Sequence, residues 1–418
     1  MNISRANIKL KGYERYVAIA LIFLVVGVGL GYYTATSLIH SPQPSSSEAL
    51  PDEIKIGVLL PLSGDIGAIG ERMLNGAKLA AKIVNDSGGI GGRPIKLIVE
   101  DTMGLPDKAI DAIKKLVEVE GVKVVIGPAT SAEVLAVAKY VNDRHVVLIS
   151  MSATASRISE LGDDYIFRVI PSDTLQVALI ADLIKAKGYK RVVTFVVAND
   201  YGIGLEEGLK KLIPDRIVGS IRYDPEKGDY RAELEQVKMW NPDAIFYALW
   251  VESGKMVFKQ AMDLGLDNIA ALGSEGLCDV AFFFDTKAAE YMARTGIMGG
   301  KPTSPKGTYG YQRFYEAYVD VFGEEPSLYC DYTFDATMLA ILAIAHAGTY
   351  EGPKIKTALQ VVSQYFIGAT GCKALDKNGD VVTATYDIWK VVKARANEYK
   401  YVIVGSWSLA TGLKLKGQ

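Results

Sequence analysis

The chain has 418 residues, with 46 basic and 48 acidic side chains, a formal charge of -2 and 49% hydrophobic residues. That length points to two or three domains, and the near-neutral balance offers no broad basic face for nucleic acid. Three cysteines (Cys278, Cys330, Cys372) are too few and scattered for a disulfide framework or zinc module, and three histidines (His40, His145, His346) exclude a His-based metal enzyme.

Residues 17–39 carry no charged side chain. As a helix they would extend about 35 Å, enough to cross a bilayer core. Arg5, Lys9, Lys11 and Arg15 precede this run, and no Lys or Arg follows until Lys55. The asymmetry predicts residues 1–16 in the cytoplasm, a single-pass anchor over 17–39 and the rest of the chain outside. A cleaved secretory signal is the alternative, with Ala35-Thr36-Ser37 as its small-residue site. Residues 40–52, rich in Ser and Pro, read as a tether.

From residue 54 short apolar runs alternate with helical periodicity. Strands are expected at 54–60, 95–99, 122–126 and 146–149, with helices over 69–85, 106–119 and 131–142 between and after them. The rhythm pauses at 165–171. It resumes with helices over 174–187, 204–212, 230–239 and 253–264 and strands at 192–197, 217–222, 244–249 and 269–272. These strands are continuous rather than alternating apolar runs, so both faces are covered, as in a parallel sheet. The fold class is therefore α/β, with two doubly wound parallel-sheet lobes and a crevice between their strand carboxyl ends. Three helical stretches (307–322, 332–347, 353–362) and strands near 381–392 and 399–407 follow, ending the globular part near 410.

Several motifs point elsewhere and are outweighed. Gly202-Ile-Gly204-Leu-Glu-Glu-Gly208 is one residue too long for a dinucleotide fingerprint, and no strand-end acid follows it. The chain has no phosphate loop and no nucleophile elbow. Asp376-Lys-Asn-Gly-Asp380 lacks the closing Glu of a calcium loop and reads as a turn, and the Asn85-Asp-Ser87 sequon reads as the end of a helix. Neither an enzyme nor a cofactor is expected.

Ile56-Gly-Val-Leu-Leu-Pro-Leu-Ser-Gly64, then Gly70 and Asn75-Gly-Ala77, open a series of ordered motifs. Gly88-Gly-Ile-Gly-Gly-Arg-Pro-Ile95, Glu100-Asp101, Ile126-Gly-Pro128, Asp200-Tyr-Gly202, Gly228-Asp-Tyr-Arg231, Asn241-Pro-Asp243, Gly273-Ser-Glu-Gly276 and Phe334-Asp-Ala336 continue it. Together, over some 350 residues, the series resembles type I periplasmic binding proteins of the branched-chain amino acid class. The resemblance implies two lobes joined by a three-crossing hinge, with crossings near Ser172, 298–301 and 387–390. Lobe 1 would comprise 53–172 with 300–388, and lobe 2 would comprise 173–299 with 389–410.

The resemblance also assigns a site. Ser131 and the free amides of the helix it opens would take a ligand carboxylate, as helix dipole physics allows without Lys or Arg. An N-cap is the alternative reading of that Ser. Ser152, Ala153 and Thr154 would complete the cradle, with Thr154 donating to the carboxylate and backbone carbonyls accepting from an ammonium. Glu275 would pair with the ammonium, Asp173 and Tyr201 would line that end, and Trp250 would cover the ligand. Taken alone, Glu275 reads equally as a solvated loop charge, Asp173 as a helix cap and Trp250 as core. Ile69 stands where branched-chain binders often carry an aromatic. The expected function is the extracytoplasmic binding component of an ABC importer for a neutral amino acid, working with separate permease and ATPase subunits. A sensory domain of the same fold, or a carrier for a short amide, urea or aromatic acid, is the alternative.

Overall fold

The computed structural model describes residues 50–162, 165–382 and 384–416. The expected anchor at 17–39 lies outside them. Among the described residues no helix is long and apolar enough to cross a membrane.

The first sheet is built from β1 (Ile54–Leu60), β2 (Ile95–Asp101), β3 (Val124–Ile126), β4 (Val147–Ser150) and β5 (Ile166–Arg168), all parallel, in the order β2-β1-β3-β4-β5. Helices α1 (Gly67–Asp86), α2 (Pro106–Lys114) and α3 (Ser131–Asp143) cross between its strands, α2 running on as a π turn to Val119. The apolar runs seen in the sequence are buried on both sides: Ile56, Val58 and Ile126 face one core cluster, and Leu59, Val125 and Leu148 face another. The expected pause at 165–171 contains β5, three residues long, paired with β4 and bridged at Arg168 to Asp380, too short to register as a run.

The chain then leaves for a second sheet through α4 (Asp173–Ala186). This sheet takes β6 (Val192–Val197), β7 (Ile217–Tyr223), β8 (Ala244–Ala248), β9 (Ala270–Gly273) and β10 (Met298–Pro302), with α5 (Asp200–Leu212), α6 (Arg231–Met239), α7 (Val251–Asp263) and α8 (Thr286–Arg294) as crossovers. Helices α9 (Tyr309–Phe322), α10 (Cys330–Ala347) and α11 (Gly352–Ser363) return to pack on the first core. After the small hairpin β11 (Ile367–Gly368) and β12 (Gly371–Cys372), the strands β13 (Thr385–Arg395), β14 (Glu398–Ser408) and β15 (Gly412–Leu415) finish the second sheet. Its order is β15-β14-β13-β10-β9-β8-β6-β7, and β13 to β15 run antiparallel. The second sheet is thus mixed rather than purely parallel, and its last strand lies beyond the expected end near 410.

The segments expected to cross between lobes at 298–301 and 387–390 are strands paired with each other, Met298 opposite Lys390 and Lys301 opposite Asp387. A division at 300 and 388 therefore cuts two hydrogen-bonded strands of the second sheet.

Several sequence features have plain structural uses. Asn85 holds the Ile95 backbone with both ends of its amide, donating to the carbonyl at 2.8 Å and accepting from the N–H at 2.7 Å. The Asp376 carboxylate accepts from the amides of Asn378 and Asp380 in a turn. Cys278, Cys330 and Cys372 are all unpaired. Gly70 and Gly76 let α1 lie against backbone: a Cβ at Gly70 would sit 1.9 Å from the Pro61 carbonyl oxygen, and one at Gly76 would sit 2.2 Å from that of Cys330. Backbone at that distance cannot swing aside as a side chain would. Gly76→Ala is expected to lower stability by about 1–3 kcal/mol through overpacking between α1 and α10, read as a lower denaturant midpoint with unchanged slope.

Candidate functional site

The crevice opens where strands of both sheets end. Pro61 follows β1, Ala129 to Ser131 follow β3, Ser152 follows β4, Tyr201 follows β6, Leu249 and Trp250 follow β8, and Glu275 follows β9. Open α/β sheets leave such a crevice outside their strand carboxyl ends at the point where strand order reverses, here β1/β3 in one sheet and β6/β8 in the other. The space enclosed is about 590 Å³, its open mouth included. Pro61, Ile66, Ile69, Met73 and Leu328 make one wall apolar, and among the described residues no Lys or Arg lines the crevice.

At one end stands the amino terminus of α3. Its cap is Thr130, not Ser131: the Thr130 hydroxyl and the buried Glu133 carboxylate form a reciprocal capping box. Burial raises the Glu133 carboxyl above its ordinary range. Ser131 is the first helical residue, freed from capping, and its Oγ accepts from the Ala155 N–H at 3.1 Å. The first-turn amides of Ser131 and Ala132 have no acceptor within the helix, which leaves donors and positive dipole potential at the crevice wall. Ser152 Oγ donates to the Ala129 carbonyl at 2.7 Å, tying the loops after β3 and β4 together.

The opposite end is acidic. Glu275 opens a short 3-10 turn after β9 and is 1% exposed, with its Oε2 lacking a hydrogen-bond partner. Desolvation, and then the neighbouring Asp173 charge, hold its carboxyl well above the usual carboxylate range. Asp173 is the first residue of α4, whose cap is Ser172, and its carboxyl is pushed up to about 7 by burial. It accepts from Thr154 Oγ1 at 2.9 Å and from Gln176 Nε2 at 2.7 Å. Gln176 Oε1 in turn accepts the Glu275 N–H at 2.7 Å, so one amide connects both acids.

Five of the residues named from sequence, Ser131, Ser152, Tyr201, Trp250 and Glu275, line the crevice together. Ala153, Thr154 and Asp173 stand behind it. Thr154 spends its proton on Asp173 rather than leaving it for a ligand carboxylate, and the Ala153 carbonyl accepts from Arg168 Nη1 at 3.3 Å. Arg168, buried in β5, also pairs with Asp380 and donates to the Ala155 carbonyl at 2.9 Å. Among the described residues no group of three or more His, Cys, Asp or Glu is arranged to hold a metal ion.

Tyr201 and Trp250 stack with ring centroids 5.4 Å apart and planes within 8°. Trp250 cannot cap α7, which it precedes, and no side chain of its own segment does so. Asp65, from the loop after β1, reaches across the crevice and caps the helix instead. Its Oδ1 accepts the Glu252 N–H and its Oδ2 the Ser253 hydroxyl, each at 3.1 Å. Ser253 also meets Tyr223 Oη at 3.1 Å, and that hydroxyl accepts the Trp250 N–H at 3.1 Å. Sequence reading missed Asp65, Gln176 and Tyr329. Tyr329 lines the crevice in a left-handed conformation (φ 65°) ahead of α10, a strained placement that nothing in its neighbours along the chain announces.

The sequence profile of the periplasmic binding proteins matches residues 53–396, and this chain belongs to that family. A curated Leu/Ile/Val-binding protein homolog of Brucella melitensis is 27% identical over 235 residues, 55% of this chain and 63% of that protein. The match thus spans a little under two thirds of that relative. The branched-chain amino acid transporter substrate-binding protein of Streptococcus pneumoniae, solved with isoleucine, is 26% identical, covers 84% of this chain and 99% of its own, and superposes with a TM-score of 0.72. A solute-binding protein of Rhodopseudomonas palustris, solved with 3,4-dihydroxybenzoic acid, is 22% identical over 88% of this chain and 99% of its own, with a TM-score of 0.72, and shares the fold.

Because Asp65 supplies from the opposite wall the cap that α7 lacks, Asp65→Ala is expected to cost the helix start about 1 kcal/mol. Hydrogen exchange at the Glu252 amide should accelerate about fivefold, while amides in β8 keep their protection.

Proposed function

We propose that this chain is the extracytoplasmic substrate-binding component of an ABC importer and captures a neutral, apolar α-amino acid. The observation that carries the reading is Glu275, a buried acid with an open oxygen at the crevice and no counter-charge of its own. An ammonium supplies that charge. The ligand carboxylate would meet the α3 amino terminus, with Ser131 and the first-turn amides as donors. Its side chain would lie against Ile66, Ile69, Met73 and Leu328, and the Tyr201–Trp250 stack would cover it. A dicarboxylic ligand would bring a second anion to a crevice without Lys or Arg. An aromatic acid would bring no cation to Glu275, so the site chemistry favours the amino acid although a protein of the same fold is solved with 3,4-dihydroxybenzoic acid.

In this reading 53–172 with 300–388 and 173–299 with 389–410 work as two lobes that close over the ligand, and the closed form is what a separate permease recognises. The uncharged run at 17–39, retained as an anchor or removed as a signal, would place the binding part outside the cytoplasm. The protein acts as a carrier rather than an enzyme, and its ATPase must be another chain.

Calorimetric titration against the neutral amino acids tests the reading, with a 1:1 exothermic isotherm for at least one of them as the expected result. Glu275→Gln should weaken that binding at least tenfold, since a charge-assisted contact contributes roughly 1.5–3 kcal/mol, with the unfolding midpoint little changed. Unchanged affinity would remove Glu275 from the site.

A further inference from the structure

Two carboxyl groups share the acidic end of the crevice, and one ligand ammonium can neutralise only one of them. Asp173 and Glu275 are each 1% exposed, and a pair of buried carboxylates without a cation between them does not ionise twice. Gln176 connects them: its Nε2 donates to Asp173 Oδ1 and its Oε1 accepts the Glu275 N–H, each at 2.7 Å. Thr154 gives its one hydroxyl proton to Asp173 Oδ2 at 2.9 Å, and Glu275 Oε2 has no hydrogen-bond partner.

Asp173 receives two side-chain donors, from Thr154 and Gln176, while Glu275 Oε2 receives none, which favours the negative charge on Asp173 and the proton on Glu275. Arg168 on β5 is the cation that acts on Asp173, but its guanidinium is engaged with Asp380, Ser159 and the Ala153 and Ala155 carbonyls. The other titratable groups facing the pair are phenols: Tyr201 on α5, Tyr329 before α10, Tyr332 on it and Tyr386 on β13. Burial holds all four well above the ordinary tyrosine range, so they stay protonated and bring no charge.

We propose that the buried carboxyls of Glu275 and Asp173 together hold one proton in the free protein, and that the ligand's ammonium takes its place. Binding then expels that proton to solvent: the ammonium keeps its three hydrogens, Glu275 ionises, and the acidic end gains one negative charge against one positive. Asp173 acts through Glu275, as a positioning residue that sets how firmly the proton is held. The inference rests on the amino acid reading and extends it to a discrimination by charge. A ligand without an ammonium would enter with the proton still in place and expel none.

The direction of the pH dependence follows. While the proton is held, capture must displace it, so affinity for an ammonium ligand rises with pH by up to about tenfold per unit and levels off once the pair ionises unaided. Burial pushes the Asp173 carboxyl up to about 7 and holds that of Glu275 well above the usual carboxylate range, which puts the rising limb above the pH at which ordinary carboxyls titrate.

Calorimetry on the full chain with L-isoleucine and L-leucine, in buffers of different ionisation heat near pH 7, counts the protons directly. Release of close to one proton per ligand is expected, falling toward zero in Asp173→Asn, which should also flatten the affinity–pH profile while still binding. Tight binding with no proton release in the unmodified protein overturns the proposal. A second measurement needs no ligand: the infrared difference between the unliganded protein and Glu275→Gln at neutral pH should contain the carbonyl stretch of a protonated carboxylic acid, and its absence overturns the proposal equally. Should neither amino acid bind while that band is present, the amino acid reading fails and the shared proton stands.

Discussion

The crevice is organised by a carboxyl group that the fold desolvates without pairing. Leaving Glu275 buried beside Asp173 is costly, because among the described residues the cation that acts on Asp173, Arg168, is engaged with Asp380, and no Lys or Arg lines the crevice at Glu275. Such an arrangement is stable only while protons or a ligand compensate. Several polar groups of the site are engaged within the protein, Thr130 with Glu133, Ser152 with Ala129, and Asp173 with Thr154 and Gln176, whereas the buried Tyr201 hydroxyl, like Glu275 Oε2, has no partner. The contrast between these closed networks and the open Oε2 of Glu275 is what gives the crevice its polarity, with donors at the α3 end and an acceptor at the other.

The same crevice is bridged on its rim by contacts that join the two sheets' loops. Asp65 meets the start of α7, Arg157 pairs with Asp200 at 3.0 Å, and Arg72 reaches Asp279 at 3.4 Å. The Arg157–Asp200 pair is largely exposed and contributes little, whereas in the Arg72–Asp279 pair the acid is buried. Asp65 differs in being linked onward. Through Ser253 and Tyr223 it communicates with the backbone of Trp250, so the contact that spans the rim and the ring that covers the cavity belong to one network.

Much of the architecture was legible residue by residue. Predominantly apolar runs such as 192–197 and 244–248 become interior strands of a sheet covered on both faces, since burial on both sides suits them. The ordered motifs led to five crevice residues because each follows a strand, and in this fold strand ends converge. What the sequence concealed shares one cause. β5 is three residues long and β15 four, so each exists only because a neighbouring strand pairs with it. Gln176 shares the buried face of its helix with Asp173 one turn earlier, and its value lies in touching Glu275, a residue far along the chain.

Sequence alone determined the α/β class, the two successive sheets and the residue types present at the strand ends, because periodicity and motif spacing are properties of neighbours along the chain. Tertiary structure decided which of those side chains meet and what each has left to offer. Thr154 has the hydroxyl expected of a ligand contact but gives its proton to Asp173; Ser131 resembles a cap but is released from that role by Thr130. A hydrogen-bonding group can be spent only once, and its partners come from segments that the linear sequence holds apart.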